Sequence, residues 1–167
     1  MNRKYFLLQT ASLAALAINP FKTFPQSKQN PEPYKPEIVK EFVGAGHKDL
    51  DKVKSMLNDY PNLIYSRYDW GNGDFEEAIE GAGHVGDKAI ANYLIEKGAR
   101  ANIFVLSMLG ETEIVKAVLK RYPNLINSLG PHGFTLLHHA KRGGEEAKEL
   151  LSFFESSGLN KDQVKIK

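Results

Sequence analysis

The sequence predicts an all-α protein of about four helix-turn-helix repeats, and an internal repeat is the main reason. Residues 50–66 match residues 112–128 without a gap, and Tyr-Pro-Asn-Leu-Ile occurs at 60–64 and again at 122–126. Apolar residues recur at spacings of three and four, which is typical of helices that bury one face. A single helical hairpin cannot bury that face alone, so the sequence predicts that neighbouring repeats stack.

The helix pairs are predicted in chain order from this spacing. They lie near 37–45 and 49–59, 75–82 and 86–97, 103–109 and 111–121, and 135–142 and 144–157. Long finger-like loops are predicted at 60–74 and 122–134. A third loop is missing, because Asn102 leads directly into the apolar residues of the next helix. This uneven spacing indicates a shaped surface rather than a regular array.

Two segments resemble a known family. Residues 86–102 have the pattern G-x-x-x-I-x-x-x-L-I-x-x-G-A-x-x-N, and residues 133–140 read Gly-Phe-Thr-Leu-Leu-His-His-Ala. Together they resemble the two halves of the ankyrin repeat, which implies an ankyrin-repeat solenoid. In that pattern Thr135 caps a helix. The resemblance also implies that His138 hydrogen-bonds backbone between neighbouring repeats.

A closer similarity is to bacterial ankyrin-repeat proteins of undetermined role. The segments that carry it are 69–74, 98–100, 107–110 and 130–133. Such a resemblance implies a fold and no chemistry.

The N-terminus has the pattern of an export signal. Arg3 and Lys4 precede an uncharged run at 5–17 that ends Ala-Leu-Ala, which is too short to span a membrane as a helix and is typical of a cleaved signal peptide. It resembles a twin-arginine signal with Lys4 in place of the second arginine. The predicted organisation is a signal peptide at 1–17, a Pro-rich linker at 18–36, the ankyrin-repeat domain at 37–160 and a polar tail at 161–167, which is expected to fray. The expected location is periplasmic or secreted, and a retained N-terminal anchor is the alternative.

Composition excludes several function classes. The 167 residues are 42% hydrophobic and 25% charged, as in an ordinary globular protein. The formal charge of +2 comes from Arg3 and Lys4, so the rest is neutral and lacks the basic surplus that nucleic acids or anionic membranes attract. No cysteine is present, which excludes disulfides, thiolate metal sites and a cysteine nucleophile. No catalytic or phosphate-binding motif occurs, so a non-catalytic protein without a cofactor is expected.

The expected function is protein binding by a monomer, with another protein as the partner, no nucleic acid, and no membrane insertion once the signal is removed. The candidate contacts come from the two loops: Tyr68, Asp69, Trp70, Asn72, Asp74, Pro131, His132 and Phe134. Trp70 is the only tryptophan. It is predicted to anchor the partner, and the opposing interpretation is that it folds inward and staples its loop.

The alternative function is a small metal-binding protein or a hydrolase. Its candidate residues are His132, His139, Asp69 and Asp74. His47 and His84 both end a Gly-Ala-Gly-His segment, which favours a structural role in a turn. No H-x-x-x-H or H-E-x-x-H spacing places two histidines on one helix face, so no metal site is predicted.

Overall fold

The computed structural model describes residues 31–166, and the chain from Tyr34 onward forms one compact unit. Its helices are α1 (Pro36–Ala45), α2 (Leu50–Asp59), α3 (Ala78–Val85), α4 (Lys88–Glu96), α5 (Ile103–Leu109), α6 (Thr112–Arg121), α7 (Leu136–Gly143) and α8 (Lys148–Ser156). Two strands, β1 (Arg67–Asp69) and β2 (Phe75–Glu77), lie between α2 and α3. Short 3₁₀ turns occupy Pro61–Tyr65, Pro123–Asn127, Pro131–Gly133 and Gly144–Ala147.

All eight predicted helices are present among the described residues, most with ends that differ by one to three positions. Four begin at side-chain caps, where an oxygen accepts from a free backbone N–H of the first turn. The caps are Asp49, Asp87, Asn102 and Thr135. The prediction that Thr135 caps a helix is therefore confirmed. Gly86 and Gly110 end α3 and α5 in the left-handed conformation, which glycine adopts without strain.

The prediction of an all-α fold is wrong, because β1 and β2 form a two-stranded antiparallel sheet. Arg67 pairs with Glu77 and Asp69 with Phe75. The intervening turn places Asn72 in the left-handed region, beside glycines that also have positive φ. Residues 75–77 were expected to start a helix, but they pair with β1 and the helix begins only at Ala78.

The prediction of an ankyrin-repeat solenoid is also wrong. In a solenoid each repeat contacts only its neighbours. Here α3 packs against α5 and also directly against α7, so the second helix pair touches the fourth. The imidazole Nε2 of His138 lies 2.8 Å from the His84 carbonyl oxygen, and Lys88 Nζ donates to the Gly143 carbonyl at 2.6 Å. The helices therefore form a more compact arrangement than a linear stack.

Two apolar clusters form the core. The first includes Phe42, Val53, Ile79 and Leu94, and the second includes Leu119, Leu137, Leu150 and Phe154. Helix α5 belongs to both, since Val105 lies in the first cluster and Phe104 in the second.

The C-terminal tail packs against the domain. The predicted signal peptide at 1–17 and the linker up to residue 30 lie outside the described residues. The tail at 161–166, which was expected to fray, lies against the segment before α7 and pairs with it through Phe134 and Gln163. Among residues 31–166, no helix has the length and apolarity needed to cross a membrane.

Candidate metal centre

Four potential metal ligands from four separate segments meet beside the two-stranded sheet. His47 lies in the turn after α1, Glu76 in β2, His84 near the end of α3 and His132 in the 3₁₀ turn before α7. One ligand atom from each residue lies within 4.8 Å of all the others. Alternation along β2 explains part of this placement, because it turns Glu76 inward and leaves Phe75 exposed.

The donor atoms are spaced as a single small cation requires. Glu76 Oε1 lies 2.9 Å from His84 Nε2, 3.5 Å from His47 Nε2 and 3.6 Å from His132 Nε2. The Nε2 atoms of His47 and His84 are 3.0 Å apart. Donors bound at ~2.0–2.1 Å around a tetrahedral Zn²⁺ lie about 3.3–3.4 Å from each other. The cluster therefore needs only small shifts to close on an ion.

Contacts at the opposite ring nitrogen orient two of the imidazoles. His132 Nδ1 lies 2.7 Å from Asp74 Oδ2, while Asp74 Oδ1 accepts the backbone N–H of His132 at 2.7 Å. His47 Nδ1 lies 3.2 Å from the carbonyl oxygens of Val43 and Gly44. A ring that donates from Nδ1 has its lone pair on Nε2, which is the atom that faces the cluster. This arrangement is typical of histidines that bind metal.

Close packing fixes the rings further. A Cβ at Gly81 would come within 2.9 Å of the His47 ring, so only glycine leaves room for that imidazole. Phe134 stacks on the His84 ring with centroids 5.0 Å apart. The exposed fractions of the His47 and His132 side chains are 23% and 27%, whereas the other two ligands are more deeply buried. One side of the cluster therefore faces solvent.

Glu76 is fully buried, and its partners are unusual for a buried acid. Its second oxygen, Oε2, accepts the indole N–H of Trp70 at 2.7 Å. In the described part of the chain the basic side chains within 4 Å of its carboxylate are all histidines. A buried carboxylate is costly unless a cation or several hydrogen bonds compensate it. A divalent ion between Oε1 and the three Nε2 atoms would supply that compensation.

The two neighbouring buried acids, Glu77 and Glu80, lie beside arginines that offset the cost of burial. Burial raises the pKa of Glu77, while the nearby Arg100 and Arg67 guanidinium groups oppose the rise. Burial also raises the pKa of Glu80, while the hydrogen bond from the Glu77 backbone N–H and the charge of Arg67 lower it. Both acids thus lie beside arginine, and Glu76, on the opposite face of β2 from Phe75, lies beside imidazoles instead.

The ligand set defines the chemistry available. Imidazole nitrogen with one carboxylate suits Zn²⁺ and neighbouring transition metals, whereas Mg²⁺ and Ca²⁺ prefer oxygen ligands. One carboxylate neutralises half the charge of a divalent ion. An ion held here would therefore attract water, hydroxide or another anion on the solvent-facing side.

The structure brings together only some of the residues that the sequence analysis selected. Of the four residues of the metal-binding alternative, His132 joins the cluster and Asp74 orients it. Asp69 instead accepts the backbone N–H groups of Gly71 and Gly73, at 2.8 and 3.1 Å, and so stabilises the turn. His139 is instead buried beside the ring of Phe104, a member of the second apolar cluster.

The residues predicted to bind a protein lie close to the same site. Trp70 has an exposed fraction of 38% and packs edge-on against Tyr68. Asn72 is at the exposed tip of the turn. Pro131 is buried and Phe134 is half-buried, stacked on the His138 ring at 4.0 Å.

Sequence reasoning missed three of the four ligands. His47 and His84 were assigned to turns because both end a Gly-Ala-Gly-His segment, and Glu76 was placed in a helix start. The repeated segment was the available signal, since it puts a histidine at the same end of α1 and α3, which pack together. Their ring centroids are 4.8 Å apart.

The two adjacent histidines of α7, His138 and His139, are buried and contact backbone carbonyl oxygens. The His138 ring contacts backbone, as predicted, through its 2.8 Å contact with the His84 carbonyl, but this contact joins the second and fourth helix pairs and not neighbouring ones. Burial lowers the pKa of His138, against that hydrogen bond. Burial lowers the pKa of His139 to about 3. Its Nδ1 contacts the Thr135 carbonyl at 2.8 Å, and its buried Nε2 has no hydrogen-bond partner among the described residues.

Comparisons with known proteins add no family or relative. No protein-family model matches the chain, and no curated protein matches it. Membership of the ankyrin-repeat family stays a prediction.

Proposed function

We propose that the protein binds one divalent transition-metal ion of the Zn²⁺ type through His47, Glu76, His84 and His132. The observation that carries the proposal is the convergence of three Nε2 atoms on the buried Glu76 carboxylate. The contact of His132 with Asp74 supports it, since a carboxylate commonly orients a metal-bound imidazole in this way. The proposal is one of binding, and the absence of catalysis stays a prediction.

Co²⁺ is the most informative probe, because its visible absorption reports both binding and coordination geometry. The full chain, stripped with chelator, is titrated with Co²⁺ and then with Zn²⁺ in competition. We expect one ion per chain and an absorption spectrum of a four- or five-coordinate site. Zero stoichiometry, or the spectrum of the hexa-aqua ion alone, would contradict the proposal.

Two substitutions test whether these residues hold the ion. His132→Asn removes one ligand while keeping a residue that tolerates the left-handed backbone at this position, where φ is 59°. We expect a loss in affinity of at least about 100-fold, more than the 10–100-fold typical of residues that only orient a ligand. Glu145→Gln is the matched control, because Glu145 is exposed and far from the cluster in sequence. Equal affinities for the two variants would place the ion elsewhere.

As a second candidate, we propose that the loop surface beside the cluster binds another protein. The exposed aromatic side chains of Trp70 and Phe75 support this, since Trp is enriched among residues that dominate interface energies. Capture from a periplasmic extract with the metal-loaded and the stripped protein would test it. Retention that Trp70→Ala does not weaken by ~2 kcal/mol or more would exclude Trp70 as the anchor. Export itself stays a proposal, to be checked by N-terminal sequencing of the native protein.

A further inference from the structure

The ligand His132 lies on a short segment that is held from two sides. Its φ of 59° places it in the left-handed region, where a non-glycine residue is kept only by its surroundings. Asp74 holds the ring and the backbone N–H from the side of the hairpin. The backbone carbonyl of His132 faces the other way, toward the C-terminal tail.

The tail holds the same segment through a short antiparallel contact. Gln163 Nε2 donates to the His132 carbonyl at 2.8 Å, and the Val164 backbone N–H donates to the Gly133 carbonyl at 2.9 Å. The Thr135 backbone N–H donates to the Asp162 carbonyl at 3.0 Å. The tail therefore binds the backbone at His132 itself and at two of the three residues that follow it.

Two further observations show that the fit is close. A Cβ at Gly133 would clash with the Val164 carbonyl oxygen, so the two backbones approach as only glycine allows. Lys141 Nζ also donates to Asp162 Oδ1 at 2.7 Å, which fixes the tail to α7.

Between the tail and the hairpin turn lies an open cleft of about 430 Å³, lined by His132, Asp74 and Gln163 among others.

From these contacts we propose that the C-terminal segment 161–166, chiefly through Gln163, positions His132 for metal binding, so that metal binding and tail docking strengthen each other. This inference rests on the proposed function. Gln163 is a positioning residue, since it contacts the backbone of a ligand and not the ion. By linkage, the factor by which the docked tail raises metal affinity equals the factor by which metal stabilises docking.

The first test measures Co²⁺ affinity in the full-length Gln163→Ala variant. We expect a loss of roughly tenfold, at the lower end of the range for residues outside the ligand shell. A change in the visible Co²⁺ spectrum should accompany it, because the His132 ring is less restrained. Lys165→Ala is the matched control: Lys165 lines the same cleft but makes no described hydrogen bond to residues 131–135. It should bind Co²⁺ as the wild type does.

The second test uses the unmodified protein, so it does not depend on a variant folding. Hydrogen exchange is measured at the Val164 and Thr135 amides, with and without saturating Zn²⁺. We expect metal to slow exchange at both amides, while the Ser157 amide, which bonds within the end of α8, is unaffected.

The outcomes separate the two proposals. If the wild-type chain binds no Co²⁺, both fail. If it binds Co²⁺, but Gln163→Ala has wild-type affinity and spectrum and Zn²⁺ leaves the Val164 amide unchanged, the tail has no positioning role and the metal site still stands.

Discussion

At the scale of single residues, the buried acids of this protein differ in their neighbours, and burial acts on a histidine in the opposite sense. Glu77 and Glu80 lie near arginines, whose charge offsets the cost of burying a carboxylate. Glu76 lies among imidazoles, and a metal ion shared with them would offset the same cost. Burial lowers the pKa of His139, and the folded chain therefore keeps its ring neutral.

His139 should make stability depend on pH. Its pKa is about 3 in the folded chain against an ordinary value of 6.5, so between these values the unfolded chain binds a proton that the folded chain excludes. The contribution of His139 to the free energy of unfolding should therefore be fully present above pH 6.5. As the pH falls below 6.5, this contribution should decrease by up to ~1.4 kcal/mol per pH unit for one proton. His138 contributes with the same sign.

The His139→Phe variant isolates this contribution. Its metal-free form should lose less stability per pH unit between pH 6 and pH 4 than the wild type does, whatever its stability at pH 7. Denaturant unfolding at several pH values measures both slopes. Parallel curves for the two proteins would mean that the folded chain protonates His139.

At the scale of elements, the hairpin formed by β1 and β2 supplies the one acidic ligand of the candidate site and two residues that contact its ligands. It carries the ligand Glu76, the orienting residue Asp74 and the indole of Trp70 within seven residues. Asp69 stabilises its turn by accepting two backbone N–H groups. Because the Trp70 indole N–H donates to the Glu76 carboxylate within the hairpin, a side-chain hydrogen bond supports the hairpin in addition to its ladder.

Trp70→Phe tests the contribution of this side-chain hydrogen bond. It keeps an aromatic ring but removes the N–H that Glu76 Oε2 accepts, which leaves a buried acceptor without that donor. The metal-free protein should lose about 1–3 kcal/mol of unfolding free energy. Phe75→Leu is the control, since Phe75 is an exposed aromatic on the same hairpin whose ring has no polar atom to lose. Equal, small losses in both variants would show that the indole N–H contributes nothing.

At the scale of the whole molecule, the helices could be predicted from the sequence and the candidate site could not. Apolar spacing and caps such as Thr135 and Asn102 act within one turn of helix, so they can be found in sequence. The strands have three residues each, too few for an alternating pattern to appear. The contact of α3 with α7 and the meeting of the four ligands depend on tertiary packing between segments far apart in sequence.

This distribution of ligands leads to a prediction for the molecule as a whole. A bound ion would connect the first two helix pairs to the segment before the fourth. Its ligands are His47, Glu76 and His84 on one side and His132 on the other. An ion bound only to the folded chain adds RT ln(1 + [L]/Kd) to stability, or ~2.7 kcal/mol at one hundred times Kd. For a domain of this size that raises the melting temperature by about 5–10 °C.

Calorimetry of the stripped protein with and without Zn²⁺ measures the shift, and chelator should reverse it. Mg²⁺ at the same concentration should produce no shift, because it disfavours nitrogen ligands. His132→Asn should abolish most of the Zn²⁺ effect while Glu145→Gln retains it. Since the ligands join segments from both sides of α5, which belongs to both apolar clusters, the transition should move as one peak. A split peak in which only one component moves would show that the ion stabilises one part of the chain and does not connect the helix pairs.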